Sequence, residues 1–226
     1  MAFKPGEAPS GRAGQSVTQA GYELFQAALL DGRLRPGQLI SQRELVEMLN
    51  LSIGALREVL PRLQAEGLVL VLPQRGIQIP AIDLPMIRDA FQMRAALERE
   101  AVIHAVREMP EALLHAQRRK HVEILDRVDR DPSDEVFVEG QEVDAGLHAL
   151  LVQSTRNDLI LQAYNINSIR IRLIRLDRIR LTRATLPAAF ADHLAIIDAI
   201  LDRDRTAAMD AMDRHIANAR DRALEL

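Results

Sequence analysis

From Pro85 onward, apolar residues recur only at helical spacing, and no segment alternates apolar with polar as a half-buried strand would. Turn signals break this pattern at Met109-Pro110, Asp131-Pro132, Arg156-Asn157 and Leu186-Pro187. Six or seven helices are therefore expected over residues 86–226. Helices of that number and length bury their stripes only against one another, so the expected form is an all-α antiparallel bundle.

The region before Pro85 follows another rule. Residues 1–16 are rich in Gly, Pro, Ala and Ser and read as a mobile arm. Ala20, Leu24, Ala27 and Ala28 mark a helix that ends at Asp31-Gly32, and Pro36-Gly37 marks a turn. Ser41 followed by Glu44 has the spacing of a capping box, opening a helix with Leu45, Val46 and Leu49 that stops at Asn50. After Leu51 to Gly54 the helical pattern resumes with Leu56, Val59, Leu60 and Leu63 and ends at Gly67. Two short helices joined by so few residues predict a helix-turn-helix. Leu68–Leu72 and Ile77–Ile79, flanking Pro73-Gln74-Arg75-Gly76, predict a small β-hairpin that would serve as a wing. The expected organisation is an arm over 1–16, a winged helix-turn-helix over 17–80, a linker over 81–85, and a helical domain over 86–226.

Composition removes several function classes. The 226 residues contain no Cys and no Trp, and only 3% are aromatic. Disulfides, thiolate nucleophiles and cysteine-ligated metals are excluded, and aromatic base-stacking platforms are disfavoured. Any metal must be held by His and carboxylate. No apolar run approaches the roughly 20 residues of a membrane helix, so a cytoplasmic location without a membrane partner is the expectation. The net charge of −3 supplies no basic field, so nucleic-acid binding would have to rest on a few placed side chains.

In a helix-turn-helix the second helix enters the major groove, and the side chains at its N-terminus reach base edges. Here that end is Ser52-Ile53-Gly54-Ala55-Leu56-Arg57. Arg57 could reach a phosphate or a guanine edge, Arg43 could clamp phosphate, and Arg75-Gly76 at the wing tip could enter the minor groove. The same arginines could equally be solvated residues on a protein-contact module.

Residues 17–80 resemble the winged-helix domain of GntR-type transcription regulators. The resemblance lies in Gly32-x-Leu34-x-Pro36-Gly37, Ser41-x-Arg43-Glu44-Leu45, Leu56-Arg57-Glu58-Val59-Leu60, Leu63-x-Ala65-Glu66-Gly67-Leu68 and Arg75-Gly76. One stretch departs: the family usually has Ser-Arg-Thr-Pro where this chain has Ser52-Ile53-Gly54-Ala55. Ile53 cannot make a bidentate guanine contact, though it could touch a thymine methyl. The resemblance implies DNA binding with Arg43, Ser52, Gly54, Arg57, Arg75 and Gly76 at the interface.

Within the bundle, Asp144 and His148 are an i,i+4 pair on an apolar stripe. His193 lies on a stripe with Phe190, Leu194 and Ile197, and His215 on one with Met212, Ile216 and Ala219. Three helices thus aim three His and one Asp at one core, a set that suits a divalent transition metal. Each alone could be a hydrogen-bonded core residue, and Asp144–His148 could be a buried ion pair. His104, His115 and His121 show no comparable placement.

The segment Val143-Asp144-Ala145-Gly146-Leu147-His148-Ala149-Leu150-Leu151, followed by Thr155-Arg156-Asn157, resembles the Asp-x-x-Phe-His-x-x-Leu…Ser-Gly-Asn pattern of the FCD ligand-binding domain, with Gly146-Leu147 in place of x-Phe. Asp192-His193-Leu194 through Ile200 and the tail ending in Met212-x-x-His215 resemble it too. This likeness implies that Asp144, His148, His193 and His215 bind a metal, zinc or nickel. It also implies a small organic-acid effector and a homodimer reading a palindromic operator.

Arg94 lies on the stripe Ile87, Phe91, Arg94, Leu97, Ala101 and is expected to point inward, where a guanidinium needs an anion. The helix Tyr164 to Arg183 carries isoleucines and leucines in nearly every direction, so it is expected to be surrounded by other helices. Arg172 and Arg175 are its cavity-lining candidates. Arg94, Arg172 and Arg175 would bind the effector; alternatively Arg94 pairs with Glu98 and the others extend outward to solvent. The reading is a mainly α, effector-responsive transcription regulator. Its competitor is a metalloenzyme acting on a small carboxylate through the His/Asp site, for which no accompanying general base is evident.

Overall fold

The computed structural model describes residues 17–130, 133–179 and 181–225, so the arm expected over 1–16 and the turn at Asp131-Pro132 lie outside it. The chain divides into two compact units between Ala81 and Ile82.

The first unit contains helices α1 (Val17–Leu30), α2 (Gln42–Leu49) and α3 (Ile53–Ala65), with strands β1 (Leu39–Ile40), β2 (Leu70–Leu72) and β3 (Gly76–Gln78). Ser41 accepts from the Glu44 amide while the Glu44 carboxylate accepts from the Ser41 amide, so the capping box forms in full. Asn50 takes a left-handed conformation to end α2, and Ser52 caps α3 two residues later. This fixes the turn between the two helices. Phe25, Leu34, Leu45, Leu56, Val59, Leu63 and Ile77 fill the core.

The expected hairpin forms from β2 and β3, and β1 adds an unexpected third strand, which gives an antiparallel sheet of order β1-β3-β2. Two residues are too short a run for alternation to be visible in sequence. Pairing reveals it: Ile40 sits opposite Ile77, and both are buried. Gly76 has a φ of 120°, and a Cβ there would lie 2.7 Å from the Ile40 carbonyl oxygen. Glycine at the wing therefore has a structural cause in the close approach of β1.

The second unit contains α4 (Leu84–Glu108), α5 (Glu111–Arg130), α6 (Asp134–Ser154), α7 (Asp158–Asp177), α8 (Leu186–Leu201) and α9 (Arg205–Leu224). Asp83 caps α4 through the Met86 amide, with Pro85 in the first turn, where its missing N–H costs nothing. Helix α4 packs against α6, α7 and α9, and α8 packs against α5 and α9. Arg203 donates to the Val106 and Met109 carbonyls at the C-terminal end of α4, which have no helical donor of their own. At Gly140 a Cβ would meet the Leu186 side chain at 2.8 Å, so glycine lets α6 approach α8 one turn before Asp144.

Helix α7 is not surrounded as its composition predicts. It packs chiefly on α4, and Leu159 is 77% exposed. It runs over Asp158–Asp177 instead of the expected Tyr164 to Arg183, and its buried residues fall on two sides, Asn167, Ile171 and Ile174 on one and Ile169 and Leu173 on the other.

Candidate functional site

Four helices of the bundle deliver polar side chains to one interior point, and three of them supply ring nitrogens. Asp144 and His148 come from α6, His193 from α8, His215 from α9 and Arg94 from α4, and all are buried. One ligand atom from each of His148, His193 and His215 lies within 4.8 Å of the others. The Nε2 atoms of His193 and His215 are 3.3 Å apart.

Hydrogen bonds assign the ring protons. Arg94 Nη2 lies 2.8 Å from His148 Nε2 and 3.4 Å from His215 Nε2. A guanidinium only donates, so both nitrogens accept. His148 then carries its proton on Nδ1 and donates to Glu98 Oε2 at 2.6 Å. The Asp192 carboxylate stands 3.7 Å from His215 Nδ1, beyond hydrogen-bond length but close enough to favour the proton there. Burial keeps His193 and His215 uncharged: it lowers His215 to about 4, and it drives His193 well below 6.5, with neighbouring imidazoles adding to the effect.

The carboxylates are charged for the opposite reason. Burial alone would raise the Glu98 carboxyl, but Arg94 and then His148 outweigh it and hold it far below its ordinary value. Arg94 reaches Glu98 at 2.8 Å through Nε. Asp144 likewise resists the effect of burial through Arg175, whose Nη1 bonds its Oδ2, with His148 and Arg94 assisting. Its Oδ1 is 3.7 Å from His193 Nε2. Asp144 thus borders the imidazole group instead of sitting within it.

Of the effector candidates, Arg94 and Arg175 face this cluster, each already paired with a carboxylate. Arg172 does not: it lies on the exposed side of α7, and the expectation for it is corrected. Ile171 and Leu173, 200° apart, lie on two buried sides, and Arg172 falls on the exposed arc between them together with Leu176. His121 corrects the expectation in the other direction. It is fully buried on α5, and its Nε2 lies 3.0 Å from His193 Nδ1. The signal was present as the stripe Leu114, Gln117, His121, Ile124, Val128. His104 and His115 stay outside the cluster.

In the first unit, Ile53, Gly54 and Arg57 are exposed along the N-terminal turns of α3. Ser52 Oγ accepts from the Ala55 amide, which leaves its hydroxyl proton free to donate. Arg57 and Arg75 have no ion-pair partner among the described residues, whereas Arg43 pairs with Glu47 across a turn of α2 at 3.1 Å.

This architecture matches known proteins along both units. The family model for bacterial regulatory proteins of the gntR family matches residues 18–79, and that for the FCD domain matches residues 89–218. BphR of Paraburkholderia xenovorans (strain LB400), an HTH-type transcriptional regulator, is 26% identical over 91% of this chain and 84% of its own length. The HTH-type transcriptional repressor RspR of Escherichia coli (strain K12) is 25% identical over 89% of this chain and 86% of its own. The fold is shared with McbR/YncC of E. coli, at a TM-score of 0.67 with 19% identity, over 90% of this chain and 95% of that one. BphR and RspR are named as a transcriptional regulator and a transcriptional repressor, and with the family models they set aside the metalloenzyme alternative. The chain belongs to the gntR family of bacterial regulatory proteins, in the branch that carries an FCD domain, and is a DNA-binding transcription regulator.

Proposed function

We propose that the protein acts in the cytoplasm as a homodimer on a short palindromic operator, and that a small organic acid held beside a divalent metal in the bundle sets its operator affinity. The observation that carries this reading is the convergence of three buried imidazoles beside two carboxylate-paired arginines. The donor set fits a metal. The Nε2 atoms of His193 and His215 approach to 3.3 Å with His148 beside them, and imidazole with carboxylate suits zinc or nickel.

Asp144, His148, His193 and His215 would hold the ion. When bound, it supplies positive charge and a coordination position for a carboxylate oxygen. Glu98 orients His148 through Nδ1, and Arg175 restrains Asp144. Arg94 holds Glu98 through Nε; an ion taking the single lone pair on Nε2 of His148 and of His215 would displace Nη2 from them, which leaves Nη1 and Nη2 for an anion. On the DNA side, the N-terminal end of α3 reads bases with Ile53 and Arg57, Ser52 and Gly54 allow close backbone approach, Arg43 holds phosphate, and Arg75-Gly76 forms the wing contact. Helix α4 follows directly on the linker, so an anion acting on Arg94 bears on the element that joins the two units. Such coupling is typically about 1–3 kcal/mol.

The test is elemental analysis of protein purified without chelator, followed by operator binding with and without chelator across a panel of small carboxylates. Stoichiometric divalent metal and a carboxylate-dependent change in affinity are expected. Absence of metal overturns the metal site. An affinity that no carboxylate changes overturns the effector.

A further inference from the structure

We propose that His121 is a positioning residue that fixes the ring of His193 in its Nδ1–H form, so that Nε2 of His193 presents a lone pair to the cluster. The chain of bonds leaves one arrangement. His121 Nδ1 is 2.8 Å from the carbonyl oxygen of Gln117, which only accepts, so Nδ1 carries the proton. His121 Nε2 is then an acceptor, and at 3.0 Å it takes a hydrogen bond from His193 Nδ1–H. The proton of a neutral His193 is thereby committed away from His148 and His215.

Packing holds the relay in place. His121 is fully buried, its ring 4.7 Å from Phe190 and edge-on to His193 at 5.1 Å between centroids. Its Nε2 faces the back of His193 instead of the point where the three other rings converge, so it serves as a support and not as a further ligand. The arrangement parallels Glu98 behind His148, with a neutral imidazole as acceptor in place of a carboxylate. A neutral acceptor orients the ring without adding negative charge.

The consequence for metal affinity rests on the metal reading proposed above; the tautomer does not. Nitrogen-15 NMR of histidine-labelled, full-length, chelator-treated protein reads the tautomer directly. His193 is expected as Nδ1–H in the parent protein. That form is lost in His121→Phe, which keeps an aromatic ring against Phe190, and restored in His121→Gln, whose amide oxygen accepts. Zinc titration against a competing chelator is then expected to show about 10–100-fold weaker binding in His121→Phe and recovery in His121→Gln. An Nε2–H form of His193 in the parent protein overturns the proposal even if no variant folds. So does an unchanged His193 signal in His121→Phe, or a zinc affinity that the Phe variant leaves unaltered. If the parent protein takes up no zinc, the metal reading fails while the tautomer result still decides the role of His121.

Discussion

The two units solve the problem of polar residues in opposite ways. Among the described residues, all the buried polar or charged side chains are in the second unit: Arg94, Glu98, His121, Asp144, His148, Asn167, His193 and His215. The first unit has an apolar core apart from Tyr22, whose hydroxyl donates to the part-buried Glu66 carboxylate, and keeps ion pairs at the surface, as in Arg43–Glu47 and Arg33–Asp31. A module that reads an external duplex needs its chemistry outside. A module that holds an ion or small anion needs it inside, where low dielectric strengthens each contact and penalises each missing one. Mutational effects should therefore be large and coupled in the bundle, and small and separable in the winged helix.

The largest effect should come from breaking the buried pair. Glu98→Ala leaves the Arg94 guanidinium without its anion and His148 Nδ1 without its acceptor, and should cost about 3–5 kcal/mol in denaturant unfolding of the bundle. A loss below about 1 kcal/mol would mean that water replaces Glu98, and the contrast between the units would collapse.

Acid should separate the units next. Folded His215 is uncharged down to about pH 4, while the unfolded side chain gains its proton near 6.5. The unfolded state therefore binds more protons in that window. Stability is complete above about pH 6.5 and falls by roughly 3 kcal/mol as pH drops towards 4, with His193 acting in the same direction. In chelator-treated protein the bundle should lose its stability to urea over this range while the winged helix keeps its own. Equal acid sensitivity in both would sink the assignment.

Smaller effects belong to the DNA surface. Arg57→Ala should weaken operator binding by about 1–3 kcal/mol if it contacts a base, and Ile53→Arg should shift preference towards a half-site containing guanine. Gel-shift selection on randomised half-sites checks both, and an unchanged profile would remove α3 from base reading. Smallest of all, Glu47→Ala should change stability by no more than about 0.5 kcal/mol, since the Arg43–Glu47 pair is exposed. A much larger loss would show that surface pairs carry the first unit.

Much of this was legible because local rules were strong. The capping box at Ser41 and Glu44 and the apolar stripes carrying Asp144, His148, His193 and His215 were readable by counting residues. Arg172 misled because α7 holds apolar residues on most sides, so periodicity could not choose its buried sides; packing chose them. His121 was missed although its stripe was regular, because its importance depends on which residue of α8 lies opposite. Strand β1 was missed because two residues carry no period.

The sequence by itself determined the capped start and the stop of α2, which residues face inward on most helices, and which chemistry is excluded by the absence of cysteine. Those properties depend on spacing, capping and residue type, all local along the chain. Tertiary structure alone decided which inward residues meet. It placed Arg94 against the Nε2 atoms of His148 and His215, Arg175 against Asp144, and His121 behind His193. Partners 31 to 121 residues apart are set by how close the helices approach, as where Gly140 admits Leu186. Helical period fixes a side chain's direction but not the distance to its partner.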